Sequence, residues 1–179
     1  MFDGNIYKIV SSNFDKIYIG STSLSLEERL VWHETDFEEW LTHDFKKQYL
    51  SSFEILKYGD YKIELLEFCP NVIYKEMYER EKYYQIINYK DTVNIRIAGT
   101  KPAPSEINTN DIYTCTCGSK LLNNYRHRMK HSMSSVHRLK IREIHSAMIV
   151  NNPRFEVVEV PNYIDFIFNK NGNILNIFY

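Results

Sequence analysis

Residues 6–20, with the sequence IYKIVSSNFDKIYIG, set the architecture that we predict for this chain. Ile6–Val10 and Lys16–Gly20 are short runs rich in β-branched and aromatic residues, which favour β-strands. The mainly polar segment between them suits a tight connection, so the two runs are predicted to form a β-hairpin. Tyr7 and Tyr18 then lie on paired strands, eleven positions apart.

The rest of the N-terminal region alternates between helical and extended patterns. We predict a first helix that is capped by Ser23 or Ser25 and runs through Trp32, and two further helices over Asp44–Lys57 and Ile73–Asn88. A strand is predicted over Tyr61–Phe68, where Pro70 ends it. A second extended segment is predicted over Val93–Ile97. This order indicates an α+β fold in which a small antiparallel three-stranded sheet is flanked by helices.

The chain divides into four segments by composition. Residues 1–100 form the α+β domain, and residues 101–112, which contain two prolines and several Asn, Thr and Ser residues, are typical of a linker. Residues 113–145 hold closely spaced cysteines and histidines. Residues 146–179 contain two apolar runs around an Asn-Gly step, which predicts a C-terminal β-hairpin that packs as a structural element.

Charge is divided unequally between these segments. Residues 1–100 hold 12 Lys and Arg against 17 Asp and Glu, whereas residues 113–145 hold seven basic residues against Glu143 alone. This asymmetry indicates a nucleic-acid-facing module attached to a domain that does not bind polyanions in general. We find neither a secretory signal after Met1 nor an apolar run long enough to span a bilayer, so we expect an intracellular soluble protein without a membrane partner. If the protein is viral, this location would be the cytoplasm or nucleus of the host.

The α+β domain contains a series of short motifs. They are Asn5-Ile6-Tyr7, Tyr18-Ile19-Gly20, Glu27-Glu28-Arg29-Leu30, Glu79-Arg80-Glu81-Lys82 and Val93-Asn94-Ile95. In these motifs residues 1–99 resemble the GIY-YIG nuclease domain, and His33 and His43 fall where members of its homing-endonuclease branch carry histidines. Asn5 stands where the family usually has Gly, which puts little in doubt because Gly mainly supplies backbone freedom.

The resemblance implies a DNA endonuclease that needs Mg²⁺ and no small-molecule cofactor. Glu81 would hold the ion, since Mg²⁺ binds few protein oxygens and keeps several waters. Arg29 would clamp phosphate oxygens and stabilise the extra charge at phosphorus. Glu79 is a competing ligand, but it points roughly 200° around the helix from Glu81.

The same resemblance implies roles for the remaining motif residues. Tyr7, aided by Tyr18 or His33, would orient or deprotonate the attacking water. An ordinary tyrosine has a pKa of about 10, so a basic neighbourhood would have to lower the pKa of Tyr7. Asn94 and His43 complete the candidate catalytic set. Double-stranded DNA is the expected partner, and the residues themselves do not exclude RNA.

The cysteine/histidine segment has the spacing of a zinc site. Cys115, Cys117 and Gly118 are followed by His131 and His137, in the pattern C-x-C-G-x12-H-x5-H. Two Cys and two His satisfy the tetrahedral preference of Zn²⁺, and we expect both histidines on one helix. The pattern resembles C2H2 zinc fingers of the longer H-x5-H kind and short C-x-C-G fingers of large DNA viruses.

Three nearby residues have alternative interpretations. His127 and His131 form an H-x3-H pair that could supply the ligands in place of His131 and His137. His145 is expected at the surface. Cys69 is expected to be a buried core residue, because an odd number of cysteines argues against a disulfide framework.

The finger helix would bring basic side chains toward nucleic acid. We expect Arg126, Arg128, Lys130 and Arg138 to contact phosphates or base edges. One finger reads only about three base pairs, so tethering is as compatible with this pattern as sequence readout. The alternative function is a non-catalytic module on a decayed nuclease fold, which binds DNA or, through the C-terminal hairpin, another protein. Oligomeric state and target sequence are not predicted.

Overall fold

The computed structural model describes residues 1–42, 48–99, 112–123 and 125–149, and the backbone of residues 156–158, 166–168 and 174–176. The side chains of residues 125 and 126 are not included in this description. His43 and most of the predicted linker therefore lie outside the described residues, as does the side chain of Arg126.

Strands and helices alternate along the chain in an α+β arrangement. They are β1 (Phe2–Ser11), β2 (Phe14–Thr22), α1 (Leu26–Thr42), α2 (Phe53–Leu56), β3 (Lys62–Val72), α3 (Tyr74–Ile87), β4 (Ile112–Thr114), β5 (Lys120–Leu122), α4 (Tyr125–Ser132), α5 (Ser135–Ile149), β6 (Glu156–Val158), β7 (Phe166–Phe168) and β8 (Ile174–Asn176).

The main sheet has three antiparallel strands in the order β2-β1-β3. The predicted hairpin is present, and its register sets Tyr7 opposite Gly20 and Ile9 opposite Tyr18. The return after α3 is shorter than predicted, because its bridge to the sheet is a single parallel one between Ile17 and Thr92. The fold class and the three-stranded antiparallel sheet thus agree with the sequence-based expectation.

Helix α1 begins in a capping box. The Ser25 hydroxyl accepts the Glu28 backbone N–H at 3.2 Å, while the Glu28 carboxylate accepts the Ser25 backbone N–H at 3.0 Å. The helix buries His33, Phe37 and Trp40, which are spaced at three and four residues and therefore share one face. This face turns His33 toward the sheet.

The second predicted helix is wrong in its length. Of the residues described in this region, only Phe53–Leu56 are helical, and residues 48–52 form irregular backbone and a turn. Ser51 and Ser52 use their hydroxyls for tertiary hydrogen bonds, to the Ile95 backbone N–H at 3.1 Å and to a ring nitrogen of His33 at 3.0 Å. These contacts compete with helix formation, as serine side chains commonly do.

Strand β3 continues through Pro70, which was predicted to end it. The pairing with β1 is irregular between the pairs Gly4–Cys69 and Phe2–Val72, and Asn71 there has a φ of 52°. A proline is tolerated at such a bulge on an edge strand because its missing N–H breaks no ladder bond.

The cysteine/histidine segment contains two helices, where a single one was predicted. The hairpin β4–β5 turns through Gly118, whose φ is 86° and whose backbone N–H donates to the Cys115 carbonyl at 2.8 Å. Helix α4 carries His131, and α5 begins after a break at which the Ser134 hydroxyl accepts the His137 backbone N–H at 3.2 Å. Helix α5 also extends four residues beyond the predicted boundary at residue 145.

The core of the α+β domain extends into α5. Ile141 is fully buried in one cluster with Tyr7, Phe37 and Trp40. His145 was predicted at the surface but is buried, with its ring centroid 5.0 Å from that of Phe37. The two segments therefore share one hydrophobic core.

The residues described beyond Ile149 form three short strands, whereas a single hairpin was predicted. Strands β6, β7 and β8 are antiparallel neighbours in that order. Among the residues that the structure describes, no helix is long and apolar enough to span a membrane.

Candidate active site and metal centre

The hydroxyl of Tyr7 is the centre of a buried polar cluster. Arg29 Nε donates to Tyr7 Oη at 3.0 Å, and Oη lies 2.7 Å from Nε2 of His33. The phenol ring crosses the strand at Gly20, where an added Cβ would lie 2.5 Å from Oη. Only glycine at position 20 leaves room for Tyr7 in this orientation.

His33 is held in one protonation state and one orientation. Burial, with a further contribution from Arg29, lowers the pKa of His33 to about 3, so the ring is neutral at physiological pH. In the tautomer that leaves Nε2 of His33 without a proton, Nε2 accepts the hydrogen bond of the Tyr7 hydroxyl. The ring proton then lies on Nδ1, 3.0 Å from the Ser52 hydroxyl oxygen.

Both tyrosines of the site are neutral phenols. Burial raises the pKa of Tyr7, although Arg29 opposes that rise. Burial also raises the pKa of Tyr18 well above its usual value. The Tyr18 ring packs edge-on against His33, with centroids 5.3 Å apart, so it forms a wall of the cluster. The described surroundings therefore do not lower the pKa of Tyr7 as its expected role requires.

Glu81 on α3 lies beside this cluster. The Ser21 hydroxyl donates to its Oε2 at 2.5 Å, and the Gln85 side-chain amide donates to its Oε1 at 2.8 Å. Burial raises the pKa of Glu81, against the opposing effects of Ser21, Arg29 and Gln85. One carboxylate is thus oriented by two neutral donors and remains within electrostatic reach of Arg29.

Asn94 supports the site from one step away. Its side-chain amide donates to the Ile19 carbonyl and its carbonyl oxygen accepts the Ile19 backbone N–H, both at 2.8 Å. Asn94 therefore acts as a strand partner for the part of β2 between Tyr18 and Gly20. Asn5, the departure from the family motif, donates to the Leu24 carbonyl at 3.1 Å and ties β1 to the start of α1.

Five of the predicted catalytic residues thus come together. Tyr7, Tyr18, Arg29, His33 and Glu81 form the cluster, Asn94 braces it, and His43 lies outside the described residues. Ser21, Ser52 and Gln85 were not predicted as site residues. Two of these carried a usable signal, because Ser21 follows the Tyr18-Ile19-Gly20 motif and Gln85 is one helical turn after Glu81.

A second cluster could hold a metal ion. One ligand atom from each of Cys115, Cys117, His131 and His137 lies within 4.8 Å of the others. Cys115 Sγ is 3.4 Å from His137 Nδ1, and Cys117 Sγ is 3.1 Å from His131 Nε2. Tetrahedral Zn²⁺ would separate a sulfur and a nitrogen ligand by about 3.6 Å, so the donor set and its spacing suit that ion. The group contains His131 and His137, and His127 is exposed outside it.

Neighbouring groups shift the pKa values of two members of this cluster, Cys117 and His137. Despite the opposing effect of burial, Ser119 and neighbouring donors lower the pKa of Cys117, which favours the thiolate that metals bind. Burial alone would lower the pKa of His137, but interactions with Cys115 and Glu54 outweigh burial and raise this pKa to about 10. His137 Nε2 lies 3.1 Å from Glu54 Oε1, so this ring is held between a thiol and a carboxylate.

Two of the basic residues expected to contact nucleic acid are buried instead. Arg128 lies 4.3 Å over the Tyr113 ring and donates to the Val93 carbonyl at 3.1 Å. Arg138 lies 4.8 Å over the Trp40 ring. Both guanidinium groups pack the finger against the α+β domain, whereas Lys130 is exposed.

Comparisons of the chain with protein-family models, with curated proteins and with solved structures gave no match. The arrangement of its own side chains is therefore the basis for assigning a function.

Proposed function

We propose that the protein is an Mg²⁺-dependent endonuclease of the GIY-YIG type that hydrolyses DNA phosphodiester bonds. One observation carries this proposal: the Tyr7 hydroxyl forms hydrogen bonds with both Arg29 and His33, in a cluster that also includes Glu81. A buried Tyr in a sheet needs no such surroundings. Together they provide a proton acceptor, a cation for phosphate and a metal-binding carboxylate.

The hydrogen bonds support a proton relay through Tyr7. An attacking water can give its proton to Tyr7 Oη while Tyr7 passes its own proton to Nε2 of His33, so the phenol need not become an anion. His33 would end as an imidazolium, which burial and Arg29 disfavour. The negative charge of a bound phosphate offsets the effect of Arg29 and makes that state easier to reach.

Arg29 links the relay to the phosphate. Its guanidinium carries five N–H donors, of which Nε is used by Tyr7. Donors on the other guanidinium nitrogens suit the non-bridging oxygens of a phosphodiester, whose charge grows in the transition state. The same side chain thus orients Tyr7 and stabilises the phosphorane.

Glu81 fits the requirements of an Mg²⁺ ligand. Mg²⁺ often binds through one carboxylate and several waters, and Ser21 and Gln85 hold this carboxylate in one orientation. The bound ion would act as a Lewis acid and stabilise the leaving oxygen. In the same proposal, Cys115, Cys117, His131 and His137 bind a structural Zn²⁺, and Lys130 contributes to DNA contact.

Cleavage of supercoiled plasmid in Mg²⁺ tests this function. We expect nicking or linearisation by the wild-type protein and a loss of at least about 100-fold in Tyr7→Phe and in Glu81→Gln, since each removes one reacting group. Tyr83→Phe, an exposed tyrosine on α3, is the matched control and should cut normally. Salt-sensitive binding without cleavage across many DNA sequences would overturn the proposal in favour of a binding module.

A further inference from the structure

A buried carboxylate joins the metal centre to the α+β domain. Glu54 lies on α2 and is 4% exposed, and its Oε1 is 3.1 Å from Nε2 of His137. Lys57 Nζ, itself fully buried, forms an ion pair with Oε2 at 2.7 Å. The Tyr49 hydroxyl donates to Oε1. A buried carboxylate needs several such partners to offset the cost of its burial. These partners do not by themselves account for the position of Glu54 next to the ring of His137.

The same carboxylate also reaches the cysteine knuckle. Thr116, the residue between Cys115 and Cys117, donates its hydroxyl to Glu54 Oε2 at 2.7 Å. One side chain of the α+β domain therefore contacts both the loop that carries two sulfur ligands and a ring that carries one nitrogen ligand.

The two histidines face the thiols through different ring atoms. His131 directs Nε2 toward Cys117 Sγ at 3.1 Å, whereas His137 directs Nδ1 toward Cys115 Sγ at 3.4 Å. In His137 the opposite nitrogen, Nε2, lies 3.1 Å from Glu54 Oε1, although the angle between them is outside the range of a hydrogen bond. Metal-binding histidines commonly direct their second ring nitrogen to a carboxylate, which fixes the tautomer that leaves the ligand lone pair free.

We propose that Glu54 is the positioning residue of the metal centre. Its carboxylate would accept the Nε2–H of His137 when Nδ1 binds the metal, and it holds Thr116, so that the α+β domain completes a site whose ligands all belong to the cysteine/histidine segment. Zinc binding is then a property of the assembled protein. The inference depends on the proposed metal centre and is independent of nuclease activity.

Zinc affinity of the full chain, measured by competition with a chromophoric chelator, tests this role. Glu54→Gln should weaken Zn²⁺ binding by about 10- to 100-fold. Tyr49→Phe is the matched control, because it removes a buried hydrogen bond to the same carboxylate oxygen but leaves the contact with His137, and it should stay within about threefold of wild type. Equal weakening in both variants, or none in Glu54→Gln, would overturn the proposal.

Side-chain ¹⁵N spectra of the zinc-loaded wild-type protein give a second test that no folding defect can obscure. We expect His137 to bind zinc through Nδ1 with a proton on Nε2, and His131 to bind through Nε2. Coordination of His137 through Nε2 would contradict the role of Glu54. A wild-type protein that binds no zinc would overturn the metal centre itself, whatever the result of the cleavage assay.

Discussion

Gly20 and Tyr7 face each other across two strands, and the phenol occupies the space of the missing side chain. In Gly20→Ala the new Cβ would lie 2.5 Å from Tyr7 Oη and 2.7 Å from Tyr7 Cζ, so the phenol ring must move. This movement must lengthen the hydrogen bonds of the Tyr7 hydroxyl with Arg29 and His33. We expect plasmid cleavage to fall by about 100-fold, because displacements of about 1 Å have such effects, with a stability loss of about 1–3 kcal/mol.

Gly4→Ala is the control for that substitution. Its Cβ would approach Met77 Sδ at 2.9 Å, and a flexible methionine can move aside. We expect nearly normal cleavage by Gly4→Ala. Full activity in Gly20→Ala would contradict the requirement for Tyr7 in its observed orientation.

His145 makes the stability of the folded protein depend on pH. Burial lowers its pKa to about 4, below the value of about 6.5 in an unfolded chain. The unfolded chain therefore takes up a proton first as the pH falls, so this contribution to stability is complete above about pH 6.5 and is lost toward pH 4. His145→Phe preserves a ring against Phe37. In this variant, the free energy of unfolding should fall by roughly 1–2 kcal/mol less between pH 7 and pH 5 than in the wild-type protein.

Urea unfolding of both proteins at the two pH values measures this difference. The other titrating groups, including the metal ligands, are common to both proteins and cancel in the comparison. Parallel losses of stability in wild type and His145→Phe would show that His145 does not titrate in this range.

The individual residues differ in how far their roles could be predicted. Tyr7, Arg29 and Glu81 could be named as candidates from the sequence because short motifs surround them. Ser52 and Glu54 belong to common polar types, and each becomes important only through a partner that is distant in the chain: Ser52 through His33, and Glu54 through His137. Such pairings arise from tertiary packing and have no local pattern.

The secondary-structure elements also differ in how far they could be predicted from the sequence. The β1–β2 hairpin and α3 were predictable because strand-forming runs or helical spacing continue over many residues. The single helix expected for both histidines was wrong, since Met133 and Ser134 form a break between α4 and α5. A basic, polar pattern also could not distinguish Arg128, which stacks on Tyr113, from the exposed Lys130.

Removal of zinc should act first on β4, β5 and α4. These short elements bury little apolar surface, with Cys115 as the one buried hydrophobic residue among the described side chains of residues 112–123 and 127–132. With free zinc at 100 times its dissociation constant, binding contributes about 2.7 kcal/mol to stability. After chelation, we expect faster amide hydrogen exchange in residues 112–132 while β1 keeps its protection. Unchanged exchange in residues 112–132 would contradict a structural role for the metal.

We expect two basic residues of the cysteine/histidine segment, Lys130 and Arg128, to have different tasks in the whole molecule. We expect Lys130→Gln to weaken DNA binding and to reduce the slope of log affinity against log salt by about 1, as for loss of one phosphate contact. Arg128→Gln should leave that slope unchanged and lower the free energy of unfolding by about 1–3 kcal/mol, because it removes a buried hydrogen bond and a ring contact. Anisotropy titrations at several salt concentrations and urea unfolding separate the two effects.

Ile141 of α5 lies in the same buried cluster as Tyr7, and this has a consequence for a chain that is still being translated. At about 5–20 residues per second, the ribosome adds Ile141 roughly 2–9 seconds after Asn94. During that interval the nascent chain contains every described residue of the proposed active site but lacks a neighbour that packs its core. We therefore expect a growing chain to acquire the rigid arrangement that the proposed cleavage needs only late in its synthesis.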